Sequence, residues 1–358
     1  MTIFKAVIGE RKCTSRYLEI RNEEINETQK EKAMKKILMI ATGGTIASGQ
    51  TESGLAPQLS PADLLYYIPD AKNICEIETI QLFSIDSTNI QPYHWLMIAE
   101  TIEKFYHLYD GFVISHGTDT LAYTAAALSY LIQHTRKPIV LTGAQKPIAE
   151  DSTDAKTNLL DSLRYAVSGD SGVVIVFGGS VIAGTRARKM RTKSYNAFSS
   201  INFPELATIH EDRVVRYIPC AEEEAPRFYH KLNSRIFVLK LTPGMSKDAF
   251  AAAASFADGI IVESYGVGGI PDLYLDALEK LVDAGKTVIM ATQVTEEGSD
   301  IKIYKVGQRI KKRYKILETY DMTLESTVTK LMWAMGQSTD PTEIRKYFCT
   351  SINYDLLF

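Results

Sequence analysis

The chain has 358 residues, 45% hydrophobic and 23% charged, with a formal net charge of -3. That profile fits a globular protein with a substantial core and offers no electrostatic case for nucleic acid or anionic membrane. Four scattered cysteines without a CxxC pair, and six histidines without ligand spacing, predict neither a zinc site nor a disulfide framework and suit a reducing cytoplasm.

Residues 1–33 mix charges of both signs and lack the apolar stretch of a signal peptide. They read as an extension outside the fold or as a charged surface helix, with "MKKILMI" at Met34 resembling a natural start. From Lys35 short apolar runs alternate with amphipathic segments, the pattern of a mainly parallel α/β sheet. The strands fall at 36–42, 77–84, 111–115, 138–143 and 172–179, and helices at 61–68, 91–109, 121–133 and 154–168. The pattern then loosens through 181–198. The polar stretch 218–235 reads as an interdomain linker, placed at 221–234. Beyond it, strands at 235–244, 259–269 and 287–293 alternate with helices at 246–257, 271–285 and 324–337. The expectation is two α/β domains with mainly parallel sheets, the larger at 34–220 and the smaller at 235–358.

Ligands of such sheets bind beyond the carboxyl ends of the strands, where loops converge. The segments that follow the predicted strands are "TGGT", "IDSTN", "SHGTDT", "TGAQ", "SYGVGG" and "TQ". Hydroxyls, amides and glycines recur there, with an aspartate in two. No GxGxxG or GxxxxGK[ST] spacing occurs, so nucleotide chemistry is unsupported. Paired glycines at a strand end let backbone N–H groups approach an oxyanion. A hydroxyl nucleophile needs a proton acceptor. His116 precedes a glycine at a strand end, where a structural hydrogen bond is an equal reading. The other acceptor is a buried lysine, alone or through a second hydroxyl, and "GTRARKMRTKS" supplies several. The residues therefore reach a threonine-rich, hydrolase-like pocket with a carboxylate for a cationic group, and no further. Taken singly, Thr45 and Thr118 also fit helix N-caps.

"ATGGTIAS", "SHGTDTLAYTA" and "GTRARK", in this order, resemble the bacterial L-asparaginases of the asparaginase/glutaminase family, and "SYGVGG" resembles their cytoplasmic type I branch. The resemblance runs from about Met34 to the C-terminus. It implies hydrolysis of L-asparagine to L-aspartate and ammonia, without cofactor or metal, through a threonine-linked acyl-enzyme. By motif it implies Thr45 as nucleophile, Thr118 as its helper, Asp119 as holder of the substrate ammonium and Lys189 as proton relay. Arg186, Arg188, Arg191 and Lys193 are competing matches for that lysine. Asp86, Ser87 and Thr88 match the carboxylate-binding segment, and Ala144 the residue whose carbonyl faces the leaving amide. The backbone N–H groups of Thr45 and Thr118, beside Gly44, would form an oxyanion hole, typically worth about 3 kcal/mol per donor.

Two departures stand out. Many members of the family carry a tyrosine on the loop after the nucleophile. Here "GQTESGLAPQLS" has Leu55 at that position, although its Gly, Ser and Pro content suits a mobile lid. Regulated type I members carry an arginine before "SYGVG" and a cysteine after "TQ". Glu263 and Val294 stand here, so no activation by asparagine is expected. The family further implies a cytoplasmic homodimer or homotetramer acting on a small molecule, with no nucleic-acid or membrane partner. Glu296 or Glu297 would reach across to a neighbour. The competing functions are a glutamine-directed amidohydrolase, such as the amidase component of a tRNA-dependent amidotransferase, and a non-catalytic amino-acid sensor. Such an amidase component carries an extra N-terminal domain, for which the 33 residues before Met34 are too few, and a sensor needs no nucleophile.

Overall fold

A computed structural model describes residues 34–51, 54–57, 59–219, 225–303 and 316–357. The extension at 1–33, the first four residues of the linker and the Leu55 side chain lie outside the described residues. Strand β1 (Lys36–Gly43) leads into a hairpin of β2 (Ser48–Thr51) and β3 (Gly54–Pro57). Then follow α1 (Pro61–Tyr66), β4 (Glu76–Ile85), α2 (Pro92–Phe105), β5 (Gly111–Ser115), α3 (Leu121–Leu131), β6 (Ile132–Gln133) and β7 (Pro138–Thr142). The first half closes with α4 (Ala155–Ala166), β8 (Gly172–Phe177), β9 (Ser180–Ala183), β10 (Ala187–Lys189), β11 (Phe198–Ser200), β12 (Ala207–His210) and β13 (Arg213–Arg216).

These strands build an eight-stranded sheet in the order β13-β12-β9-β8-β7-β5-β1-β4. From β4 to β8 every pairing is parallel, and β9, β12 and β13 complete the other edge antiparallel. The inner parallel strands β1, β5, β7 and β8 are mainly apolar runs because both faces are covered, while the edge strand β4 alternates polar and apolar residues. Leu38 and Ile40 of β1 face one core with Phe112, Ile114 and helix α3. Ile37 and Met39 face the other with Val113, Val140 and helix α4.

Strand β14 (Arg227–Phe228), inside the predicted linker, pairs with β6, and Tyr229 N donates to Leu131 O. A smaller parallel sheet, β15-β16-β17-β18, follows. Its elements are β15 (Ile236–Lys240), α5 (Asp248–Phe256), β16 (Gly259–Ser264), α6 (Leu275–Asp283), β17 (Thr287–Thr292), β18 (Leu317–Glu318), α7 (Leu324–Gln337) and α8 (Pro341–Cys349). The fold is thus α/β, a large N-terminal half and a smaller C-terminal half, each on a mainly parallel sheet. Helix α7 joins them: Leu331 and Trp333 belong to the same core as Ile261 and Ile289 of the small sheet and Leu128 of α3. Helices α5 and α6 cover the other face of the small sheet through Phe250, Leu278 and Leu281. The predicted helices 91–109 and 154–168 are shorter than their apolar patterns. One begins at Pro92, which fits the first helical turn, and the other ends at Ala166 before Gly169.

Candidate active site

Strand β1 stops where the Thr42 hydroxyl donates to Ser115 O at 2.8 Å. Gly43 and Gly44 then turn the chain with φ of 103° and 82°, in the left-handed region that glycine tolerates without steric cost. A β-carbon on Gly44 would lie 2.3 Å from Gly117 N. The "TGGT" and "SHGTDT" backbones therefore cross in direct contact, which only glycine permits. Thr45 opens a 3₁₀ turn, Thr45–Ala47, whose N-cap is Gly44. Helix α3, after "SHGTDT", has Thr120 as its N-cap. Neither Thr45 nor Thr118 is a helix cap, so the bland reading of both fails.

His116 is fully buried. Trp95 Nε1 donates to Thr124 Oγ1 at 3.0 Å, and the Thr124 hydroxyl donates to His116 Nε2 at 2.9 Å, because the ring hydrogen sits on the other nitrogen. The remaining ring nitrogen, Nδ1, donates to Gly117 O at 2.7 Å. Burial drives the His116 pKa down to about 4, because a charged ring would lose its hydration there. It is a neutral structural hydrogen-bonder that fixes the residue before Thr118.

Thr118 is buried, and its hydroxyl joins two partners: Lys189 Nζ donates to it at 2.7 Å, and it donates to Gln145 Oε1 at 3.2 Å. Lys189 Nζ also donates to Asp119 Oδ1 at 2.6 Å. The Lys189 side chain is 17% exposed and that of Asp119 57%, so the pair is closed behind the ammonium and open at the carboxylate. Lys189 ends β10, whose antiparallel partner β11 fixes it opposite Phe198. Three of the four competing cations are engaged elsewhere. Arg186 is fully buried, donating to Tyr354 O, Asp321 O and Asp321 Oδ2, the last at 2.7 Å. Arg188 lies 3.9 Å from Glu325, and Arg191 donates to Asn196 O. Lys193 is exposed.

The segment after β4 reaches the same place through Ser87, which is buried: a β-carbon on Gly117 would lie 2.5 Å from its Oγ, and Thr120 Oγ1 donates to Ser87 O. Asp86 and Thr88 are exposed and engaged with each other, Thr88 N and Oγ1 both donating to Asp86 Oδ1 at 2.9 Å. Ala144 is fully buried after Gly143, whose own β-carbon would lie 2.4 Å from His116 O. Sequence reasoning missed the residues that hold this loop. The Asp154 carboxylate accepts from Gln145 N, Lys146 N and Asn158 Nδ2, and Asn158 also bonds Gly143 O and Gly178 N. The signal available was "DSTDAKTN", polar residues opening a helix just after a strand end.

The loops of the smaller sheet, "SYGVGG" and "TQ", make their side-chain bonds within that sheet. Thr292 donates to Gly266 O, Gln293 to Leu241 O and Glu263 O, and Ser264 to Ala291 O. Among the described residues no hydrogen bond joins them to the Thr118–Lys189 cluster. Glu263 is buried in β16 and Val294 is exposed. Glu297 N is bonded to Asn202 Oδ1. Among the described residues no group of three or more His, Cys, Asp or Glu is placed to hold a metal ion, and no helix is long and apolar enough to cross a membrane.

Comparison with known proteins agrees with this geometry. The N-terminal asparaginase family model matches residues 36–219, and the glutaminase/asparaginase C-terminal domain model matches residues 235–348. An L-asparaginase of the archaeon Thermococcus kodakarensis is 41% identical over 315 residues, covering 87% of this chain and 96% of that one. A component of the glutamyl-tRNA(Gln) amidotransferase of Pyrococcus furiosus is 33% identical over 341 residues, 91% of this chain and 77% of that one. Among solved structures, the thermostable L-asparaginase of T. kodakarensis superposes with a TM-score of 0.86 at 39% identity, covering 90% and 99% of the two chains. L-asparaginase I of Vibrio cholerae gives 0.82 at 26% identity, covering 91% and 100%. The chain belongs to the asparaginase/glutaminase family of amidohydrolases.

Proposed function

We propose that the protein hydrolyses L-asparagine to L-aspartate and ammonia through an acyl-enzyme on Thr45. The observation that carries this is the Lys189 ammonium, which bridges the Thr118 hydroxyl and the Asp119 carboxylate beside the Gly44–Gly117 crossing. In this reading Lys189, having given one proton up to solvent, acts as a neutral amine: Thr45 Oγ1 attacks the side-chain amide carbon, Thr118 takes the proton of Thr45, and Thr118 passes its own hydrogen to Lys189 Nζ. The C–N bond breaks as that proton returns to the leaving nitrogen, and water then cleaves the ester. Backbone N–H groups at Thr45 and Thr118 hold the oxyanion, within the stretch that two glycines bring together. Asp119, open on one side, holds the substrate ammonium. Ser87 is set to meet its carboxylate with Thr88, while Asp86 orders that turn. The carbonyl of Ala144 faces the leaving amide. No cofactor or metal takes part. The domains are 34–220 and 235–358, and the protein is a cytoplasmic homodimer or homotetramer of the type I branch. The test is ammonia release by the wild type, Thr45→Ala and Thr118→Ala. Full activity in both variants would refute the mechanism.

The likeness to the amidotransferase component supports a second reading, a glutamine-directed amidohydrolase. It predicts kcat/KM for glutamine at or above that for asparagine, and the same ammonia assay decides between them.

A further inference from the structure

We propose that Gln145 is a positioning residue, which sets the direction of the Thr118 hydroxyl and ties the Thr118–Lys189 pair to the loop that carries Thr45. The inference deepens the proposed amidohydrolase site and rests on that reading. Three hydrogen bonds run in one sense. Lys189 Nζ donates to Thr118 Oγ1 at 2.7 Å, Thr118 Oγ1 donates to Gln145 Oε1 at 3.2 Å, and Gln145 Nε2 donates to Ser194 O at 3.2 Å. Because the Ser194 carbonyl accepts only from the amide nitrogen, the Gln145 oxygen must face Thr118. The Thr118 hydrogen then points at Gln145, one lone pair receives Lys189, and the second is left to accept from whatever occupies the pocket. In this resting arrangement Thr118 offers Thr45 or water a lone pair; once Lys189 is a neutral amine, the Thr118 hydrogen turns from Gln145 to Lys189 as Thr118 takes the incoming proton.

The backbone that carries Gln145 is rigid. Its N–H is held by both oxygens of the buried Asp154 carboxylate at 3.0 and 3.1 Å, and the next N–H by one of them. Three residues on, Ile148 N donates to Ile46 O, adjacent to Thr45. Ser194 lies on the loop between β10 and β11, the hairpin that ends at Lys189. The Gln145 side chain thus joins Thr118 to the hairpin of the lysine, and the backbone that follows it is tied to the Thr45 segment through Ile148. The charged groups around the network are Lys189 with Asp119, Arg188 facing Glu325, and Lys146 paired with Glu150 beside Gln145.

The test is steady-state ammonia release by wild type, Gln145→Met, Thr118→Ala and the Thr118→Ala/Gln145→Met double variant. Gln145→Met, which keeps length and loses the acceptor, is expected to lower kcat 10- to 100-fold with KM within threefold of wild type. If Gln145 acts through Thr118, the double variant falls no lower than Thr118→Ala. Wild-type kcat in Gln145→Met, or losses that multiply in the double variant, would overturn the assignment. The 13C shift of the Thr118 methyl in threonine-labelled protein is expected to change in Gln145→Met and to return toward the wild-type value in Gln145→Glu, which restores an acceptor oxygen. This readout needs no turnover. A wild type silent on both amides would refute the functional reading, while a Thr118 methyl shift unmoved in Gln145→Met would refute the network.

Discussion

Lys189 and His116 both lie close to Thr118, but their surroundings make them opposites. The Lys189 ammonium has a carboxylate and a hydroxyl to bond and a path to solvent. His116 has only neutral partners and no exposure, so its pKa falls to about 4. Its folded pKa lies below the unfolded value near 6.5, so the unfolded chain binds the extra proton between those values. Stability from this group is complete above about pH 6.5 and lost as pH falls toward 4, by about 3 kcal/mol for a shift of this size. Urea denaturation at pH 7 and pH 4 should therefore show a loss about 2–3 kcal/mol smaller in His116→Gln than in wild type. Lys189→Met is expected to reduce ammonia release about a thousandfold, with little change in thermal midpoint because the lysine sits at the edge of the core. Thr45, Thr118 and Lys189 were legible as residue types in motifs. Choosing Lys189 among five neighbouring cations was not possible by spacing, since only Arg188 and Lys189 lie on β10 and the elements around them, not the motif, set what each cation meets.

At the scale of elements, the site exists because strand-end loops are allowed to touch. The contact of Gly44 with Gly117 has no room for a β-carbon, and Gly44 also sits at positive φ. Gly44→Ala is expected to cost about 3 kcal/mol, from backbone displacement and left-handed strain together. It should abolish ammonia release even at temperatures where circular dichroism reports a folded chain. A variant with near-native turnover would show that the crossing is not needed. The parallel strands β1, β5, β7 and β8 were readable because burial on both faces writes an unbroken apolar run. Strands β9 to β13 were not, because they are three or four residues long, include polar edge segments such as "RVVR", and turn sharply between members. The stretch read as a linker contains β14 for the same reason: two residues pairing with β6 leave no periodicity to detect.

Across the whole molecule, buried ion pairs fasten the C-terminal segments to α3, α7 and the turn between β9 and β10. Arg186 bonds Asp321 and the carbonyl of Tyr354, while Lys330 and Asp355, both fully buried, pair at 2.6 Å with Tyr130 donating to the same carboxylate oxygen at 2.9 Å. Removing one partner strands a charge without water, so Asp321→Ala should destabilise by about 3–5 kcal/mol. The Arg186→Met/Asp321→Leu double variant should recover a large part of that in chemical denaturation. Under the proposed asparaginase activity, Glu263 and Val294 stand where the motif resemblance implies an effector arginine and cysteine, so the rate against asparagine is expected to be hyperbolic. A sigmoidal curve would count against that.

The sequence by itself determined the alternation of apolar runs and amphipathic helices, hence the α/β class. It also determined the chemistry available at the strand ends, because strand burial and motif spacing are local properties. It could not say which strand-end residues meet. The tertiary structure decided that Gly44 crosses Gly117, that His116 is sealed off, that Lys189 reaches Thr118, and that Gln145 closes the network. The strand-end and network contacts join residues 27 to 73 positions apart, and the register of the parallel strands, with the antiparallel β10–β11 hairpin beside them, brings such distant loops to one edge.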